Sequence, residues 1–431
     1  MFSPLFLYHI RMTTAFERQL SAAKAASQEL ARLSTAQKNA ILLSIAKTLK
    51  KKAGVILHAN AQDVKKMDPQ DPKTDRLQLT PARLDAIISG VRAVIRLPDP
   101  VGEVLDSTVR PNGLKIQRVR VPFGVIGVIY ESRPNVTVDI ACLTLKTGNA
   151  VVLKGGEEAL YSNTTLIQII RSVLKKHRVS PDAVVMVDPT KLKLVEQLLC
   201  ANAYLDVLIP RGSNRLIQFV RDHATVPVIE TGAGVCHAYI EKSADSKKAV
   251  DIVVNAKTRR VSVCNALDTI VVDAGIAGRF FSAIASSFAA SRVMIYADPR
   301  SFSILQSLYP KELLTKARAQ DFGREFLSMA CSVKVVPNAG AAIEFIRDHT
   351  SKHSESIVTK NKKIAQRFVN EIDAAAVYVN APTSFTDGFE FGLGAEVGIS
   401  TQKLHARGPM GLRELTSYKW VIHGAGQTRT V

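Results

Sequence analysis

From Pro122 to Val379, short apolar runs alternate with longer stretches of helical periodicity, and this succession limits the fold more than anything else in the chain. The strand-like runs are Gly124–Tyr130, Ala150–Leu153, Ala183–Val187, Asp206–Ile209, Pro227–Ile229 and His237–Glu241. Helix-like stretches separate them near 138–147, 160–177, 191–203 and 213–223. A second series has strands at Thr269–Val272, Val293–Tyr296, Ser332–Val336 and Ser356–Thr359, with helices near 277–291, 301–309, 339–348 and 361–372. Strand-like Ala375–Val379 follows, then a Gly-rich stretch from Gly388 to Gly411 and a final strand at Tyr418–His423. Runs that are apolar throughout, alternating with helices, belong to parallel sheets covered on both faces. The expected class is α/β, with two doubly wound parallel-sheet domains.

The first hundred residues differ. Residues 15–66 carry Ala, Leu and Lys at helical spacing, with Leu30, Leu33, Ile41, Ile45 and Leu49 on one face. Ser34-Thr35-Ala36-Gln37 has the form of a capping box, and Thr80-Pro81 opens another helix with Pro at its first position. Residues 103–121 are a hairpin, since two strand-like runs flank Asn112-Gly113 and the second alternates apolar and polar residues. An isolated hairpin is marginal in water, so it needs something to dock on. Phe2–Ile10 is apolar but lacks a basic start and a cleavage-like end, so it is not expected to be a signal peptide. Met12 is a plausible start, with residues 1–11 as an extension.

The formal net charge of +19 raises the question of nucleic acid. Lys and Arg are scattered in short clusters such as Lys50-Lys51-Lys52 and Lys175-Lys176, with no arginine-rich arm. Anionic small molecules account for the charge as well, and neither nucleic acid nor membrane is expected as a partner. The five cysteines are widely spaced and form no CxxC, which disfavours both a zinc ribbon and a disulfide framework. A reducing, cytoplasmic compartment fits them.

Cys264 stands between a basic stretch, with Lys257, Arg259 and Arg260, and an apolar run from Thr269 to Val272. Nearby cations favour a thiolate, the nucleophilic form. The alternative is a buried, inert thiol. No GxGxxG follows a strand. Lys154, before Gly155-Gly156, and Arg211-Gly212-Ser213 instead fall at carboxyl ends of strands, where α/β sheets bind ligands, and a helix opens at Ser213 or Asn214, with an N-terminus that attracts anions. Glu230 ends a strand-like run and is a candidate acid or base. His349 and His353 could share a helical face, but a zincin motif needs Glu where Thr350 stands, so no metal is expected.

Tyr130-Glu131-Ser132-Arg133-Pro134-Asn135-Val136-Thr137, Ile209-Pro210-Arg211-Gly212, Glu230-Thr231-Gly232-Ala233-Gly234-Val235-Cys236-His237 and Val263-Cys264-Asn265-Ala266 together resemble the gamma-glutamyl phosphate reductase family of the aldehyde dehydrogenase superfamily. The resemblance runs from about Met12 to the C-terminus, with departures at Phe345, where the pattern has His, and at Thr350. It implies an NADP-binding domain at 12–102 and 123–242, a catalytic domain at 243–374, and an oligomerisation hairpin at 103–122 packed with 385–431. It implies Cys264 as nucleophile, Asn135 in the oxyanion hole and Glu230 as general base. Lys154, Gly212 and Ser213 would bind NADPH. Arg133, Arg407, His349 and His353 are the substrate-binding candidates. The implied reaction is reduction of L-glutamyl 5-phosphate to L-glutamate 5-semialdehyde. A homo-oligomer, and functional association with glutamate 5-kinase, are the implied partners.

Overall fold

The computed structural model describes residues 14–68 and 71–429, without the side chains of residues 72 and 73. The expected extension at 1–11 lies outside the described residues. Two compact units divide the chain. One takes the described residues of Met1–Glu230, Gly392–Gly398 and Met410–Val431, and the other Thr231–Phe391 and Ile399–Pro409.

The first unit opens with helices. The Ser34 capping box forms at the start of helix Thr35–Lys51, and the Thr80 side chain caps Pro81–Arg96. A four-stranded parallel sheet follows, in the order Val184–Met186, Ala150–Lys154, Val125–Tyr130, Val207–Arg211. Strand Val125–Tyr130 is buried over its whole length, as a run without polar alternation requires. The expected strand at Pro227–Ile229 is reduced to one bridge between Leu208 and Val228, because the apolar run is too short for a ladder. The hairpin Val104–Val109 and Lys115–Pro122 forms about the Asn112-Gly113 turn, and Thr416–His423 pairs antiparallel with its second strand. The C-terminal segment is thus what the hairpin docks on.

The second unit holds seven mutually parallel strands, in the order Leu314–Lys316, Met294–Ala297, Ala330–Val336, Leu267–Asp273, Cys236–Ile240, Ser354–Val358, Ala376–Val379. Period-two alternation sorts their side chains to two cores. Ala238, Ile240, Ile270, Val272 and Val358 pack with helices Ser246–Thr258 and Ala277–Ala290. Tyr239, Val271 and Ile357 pack with Ala339–His349 and Lys362–Glu371. Helices therefore cover both faces, and the α/β doubly wound class holds.

The sequence reading sets a boundary at 242/243, and the two compact units divide after Glu230. Cys236–Ile240 is a central strand of the second sheet. A buried strand looks the same in sequence whichever sheet it joins. Residues 103–122 lie in the first unit together with Gly392–Gly398 and Met410–Val431. Among the described residues no helix is long and apolar enough to cross a membrane.

Candidate active site

In the second unit, Cys264 lies in the connection between helix Ser246–Thr258 and strand Leu267–Asp273, at the amino-terminal edge of the sheet. It is half-buried, whereas Cys142, Cys236 and Cys331 are buried and their thiols pushed up by burial. Neighbours fix its backbone. Cys236 Sγ donates to the Cys264 carbonyl at 3.3 Å. A Cβ on Gly234 would stand 1.5 Å from that same oxygen, so only glycine allows this approach. Asn265 donates through Nδ2 to the carbonyls of Ser384 at 3.2 Å and Thr386 at 3.0 Å, and its own carbonyl accepts from Thr383 Oγ1 at 2.8 Å. Gly234 N donates to Glu325 Oε1 at 3.1 Å, and Val235 N to Ser351 Oγ at 2.8 Å. Beneath them, burial raises the Asp268 carboxyl to about 7 against the nearby Lys257 charge. Asp268 accepts from Phe326 N at 2.9 Å.

Several expectations about cations change. The Lys257 ammonium turns inward and donates to the Leu267 carbonyl at 2.8 Å, while Arg259 and Arg260 are exposed. Arg407 already holds a carboxylate. Its Nη2 meets Asp373 at 2.7 Å, with Lys403 at 3.0 Å and Lys352 at 3.7 Å on the same acid. Lys403 and Arg407 hold the Asp373 carboxyl down, at about 2. Three cations on one carboxylate leave that corner positive.

The two histidines do not share a helical face. His349 ends helix Ala339–His349, and His353 comes after the turn, just before strand Ser354–Val358. His349 stacks on Phe345 with centroids 4.3 Å apart. Phe345 also meets Phe322 and His237 edge-on, so it is an apolar filler there. Thr350 Oγ1 donates to Glu355, which also pairs with buried His237 at 3.0 Å. His353 is fully buried beside Ser354 Oγ at 2.9 Å, and burial lowers it to about 4.

In the first unit, Lys154, Tyr130 and Arg211 end three adjacent parallel strands, and the residues after them form one carboxyl edge. Burial lowers the Lys154 ammonium against the opposing charges of Glu158, Glu131 and Glu157. Ser213 caps helix Asn214–His223. Ser213 N donates to Glu131 Oε2 at 2.9 Å. Arg211 is spent within its unit, donating from Nη1 to the Val397 carbonyl at 2.6 Å. Arg133 is half-buried, immediately before helix Pro134–Lys146. Asn135, in that helix's first turn, donates from Nδ2 to Asp139 Oδ2 at 3.0 Å. Glu230 is half-buried, 3.8 Å from Arg221 Nη1.

Comparison with known proteins decides the family. Residues 9–302 match the aldehyde dehydrogenase family model. The gamma-glutamyl phosphate reductase of Bacteroides thetaiotaomicron is 50% identical over 97% of this chain and 100% of its own length. That of Legionella pneumophila is 48% identical over the same shares. The solved gamma-glutamyl phosphate reductase of Thermotoga maritima is 44% identical, covers 96% of this chain and 99% of its own, and has a TM-score of 0.90. The chain belongs to the gamma-glutamyl phosphate reductase family. It is an oxidoreductase of the aldehyde dehydrogenase type. An acetylating aldehyde dehydrogenase from Geobacillus thermoglucosidasius, 17% identical, covers 97% of this chain and 98% of its own with a TM-score of 0.70, and shares the fold.

The family implies a nicotinamide cofactor, and the first unit fits one. Lys154 and Gly212-Ser213 follow two strands at one carboxyl edge, and the helix that Ser213 caps opens on the same side. Sequence reasoning gave no role to the residues around the Cys264 backbone, namely Gly234, Cys236, Asn265 and Glu325. The one visible signal was Gly232-Ala233-Gly234, small residues before a strand.

Proposed function

We propose that this chain reduces L-glutamyl 5-phosphate to L-glutamate 5-semialdehyde and phosphate with NADPH, the second step of proline biosynthesis from glutamate, and that the product cyclises spontaneously to 1-pyrroline-5-carboxylate. The observation that carries this is the accessible Cys264, its carbonyl clamped by Gly234 and Cys236. The Cys264 thiolate attacks the acyl carbon, the carbon–oxygen bond to phosphate breaks, and a thioester remains. The chemistry the cofactor supplies when bound is a hydride for the thioester carbonyl. Collapse of the thiohemiacetal breaks the carbon–sulfur bond, releases the aldehyde and returns the thiolate. The Cys264 N–H and Asn135 serve the oxyanion at each tetrahedral stage. Lys154, Gly212 and Ser213 hold the cofactor, with Lys154 favouring the 2′-phosphate. Arg133, the positive corner at Arg407, and His349 serve substrate anions, and buried His353 stands beside Cys236, which holds the Cys264 carbonyl.

Glu230 is the base that a hydrolytic aldehyde dehydrogenase would need. A phosphate reductase admits phosphate in place of water, since hydrolysis wastes the activated acyl group. Oxidation of the semialdehyde with NADP, followed by NADPH absorbance, should therefore require added phosphate and yield the acyl phosphate. Phosphate-independent turnover releasing free glutamate would overturn the reading. NADPH should be preferred to NADH, and Lys154→Ala should erase that preference.

A further inference from the structure

The N–H and hydroxyl of Ser213, which caps helix Asn214–His223, already have an anion. Glu131 N donates to the Arg211 carbonyl at 3.3 Å, which lays Glu131 alongside Arg211-Gly212. Its carboxylate then reaches the helix start, accepting from Ser213 N at 2.9 Å and from Ser213 Oγ at 3.2 Å. A Cβ on Gly212 would lie 2.6 Å from the same carboxylate oxygen, so the acid fills the space that the missing side chain leaves. A helix N-terminus attracts one anion through its unsatisfied N–H groups and dipole, and two anions there repel.

The neighbouring residue is pinned separately. Ser132 has φ of 42°, a conformation rare outside glycine, and its N–H donates to Glu158 Oε1 at 2.7 Å. Glu131 can therefore leave the helix start by side-chain rotation while Glu158 keeps the backbone in place.

We infer that Glu131 is an internal anion latch that occupies the cofactor's pyrophosphate position and sets cofactor affinity. This rests on the placement of the pyrophosphate at Gly212-Ser213 proposed above. Pyrophosphate and the Glu131 carboxylate cannot hold the same N–H groups at once, so cofactor binding displaces the acid. The latch satisfies the helix start when the cofactor leaves and lowers affinity for every pyrophosphate-bearing nucleotide, oxidised product included.

The test is direct titration of NADPH into the full-length protein, read by NADPH fluorescence without substrate, beside thermal melting with and without NADPH. Glu131→Gln keeps the shape and an acceptor for Ser213 N but removes the charge. It should bind NADPH about three- to tenfold more tightly. Its melting temperature should fall without NADPH and rise further than the wild type's on adding it. A merely structural Glu131 would lose both stability and affinity, and that result overturns the latch. Gly212→Val separates the two claims by filling the cradle. Weaker binding by Gly212→Val with unchanged or weaker binding by Glu131→Gln leaves the pyrophosphate placement standing and removes the latch. Unchanged binding by Gly212→Val removes both.

Discussion

At the residue scale, the nucleophile is defined more by what touches its backbone than by what touches its sulfur. Gly234 is the narrowest point. Gly234→Ala puts a methyl where the Cys264 carbonyl lies, so one of the two segments must move. The expected cost is about 1–3 kcal/mol of stability, with loss of most activity. Urea unfolding beside a steady-state assay would show it, and a fully active Gly234→Ala would contradict the clamp. His353 makes a second prediction. Burial depresses it to about 4 in the folded chain, against about 6.5 unfolded. Above pH 6.5 both states are neutral, and as pH falls toward 4 the unfolded state takes up the proton first, so stability is lost. Between pH 7 and pH 5 the wild type should lose about 2 kcal/mol relative to His353→Asn. Asp139 and Asp268, raised to about 6 and about 7, titrate in both proteins and cancel in the difference. A pH-independent difference in urea unfolding would show that His353 is not buried as a neutral ring. The role proposed for Cys264 comes from the family pattern that its flanking residues carry. The fates of Lys257, Arg211 and Arg407 were not legible, because a sequence shows charge but not the carbonyl or carboxylate that a folded chain brings to it.

At the element scale, strand positions were legible wherever apolar runs were unbroken, as at Val125–Tyr130 and Leu267–Asp273. Sheet membership was not, because Cys236–Ile240 has the same composition whether it ends one sheet or centres the next. The hairpin is the element with an unfinished surface. Tyr418, Trp420 and Ile422 alternate along strand Thr416–His423 and are each about half exposed. Arg118 lies over the first two rings, at 5.0 Å and 5.7 Å. Large exposed apolar side chains grouped on one strand face are what a subunit contact would cover. A homodimer or larger assembly through this sheet is expected, with light-scattering mass at micromolar concentration above the 46.9 kDa of one chain. Trp420→Glu should shift that mass toward the monomer. A monomeric wild type, or an assembly indifferent to Trp420→Glu, would place the contacts elsewhere.

At the scale of the whole molecule, each unit carries its chemistry on one sheet edge. The first unit uses the carboxyl edge, where Lys154 and Gly212-Ser213 follow their strands. The second uses the amino edge, where Cys264 precedes its strand and loops 231–235, 322–329 and 350–353 precede theirs. The rule that ligands lie at carboxyl ends of strands covers the residues proposed for the cofactor but not Cys264, which was proposed from its motif alone. The central claim is that an acyl group passes through Cys264. It is tested most directly by adding L-glutamyl 5-phosphate to the protein without NADPH, quenching in acid, and measuring the mass of the Cys264 peptide. One glutamyl acyl group should be found on that peptide, absent from Cys264→Ala and discharged on adding NADPH. An unmodified Cys264 peptide, or acylation at another cysteine, would contradict the account.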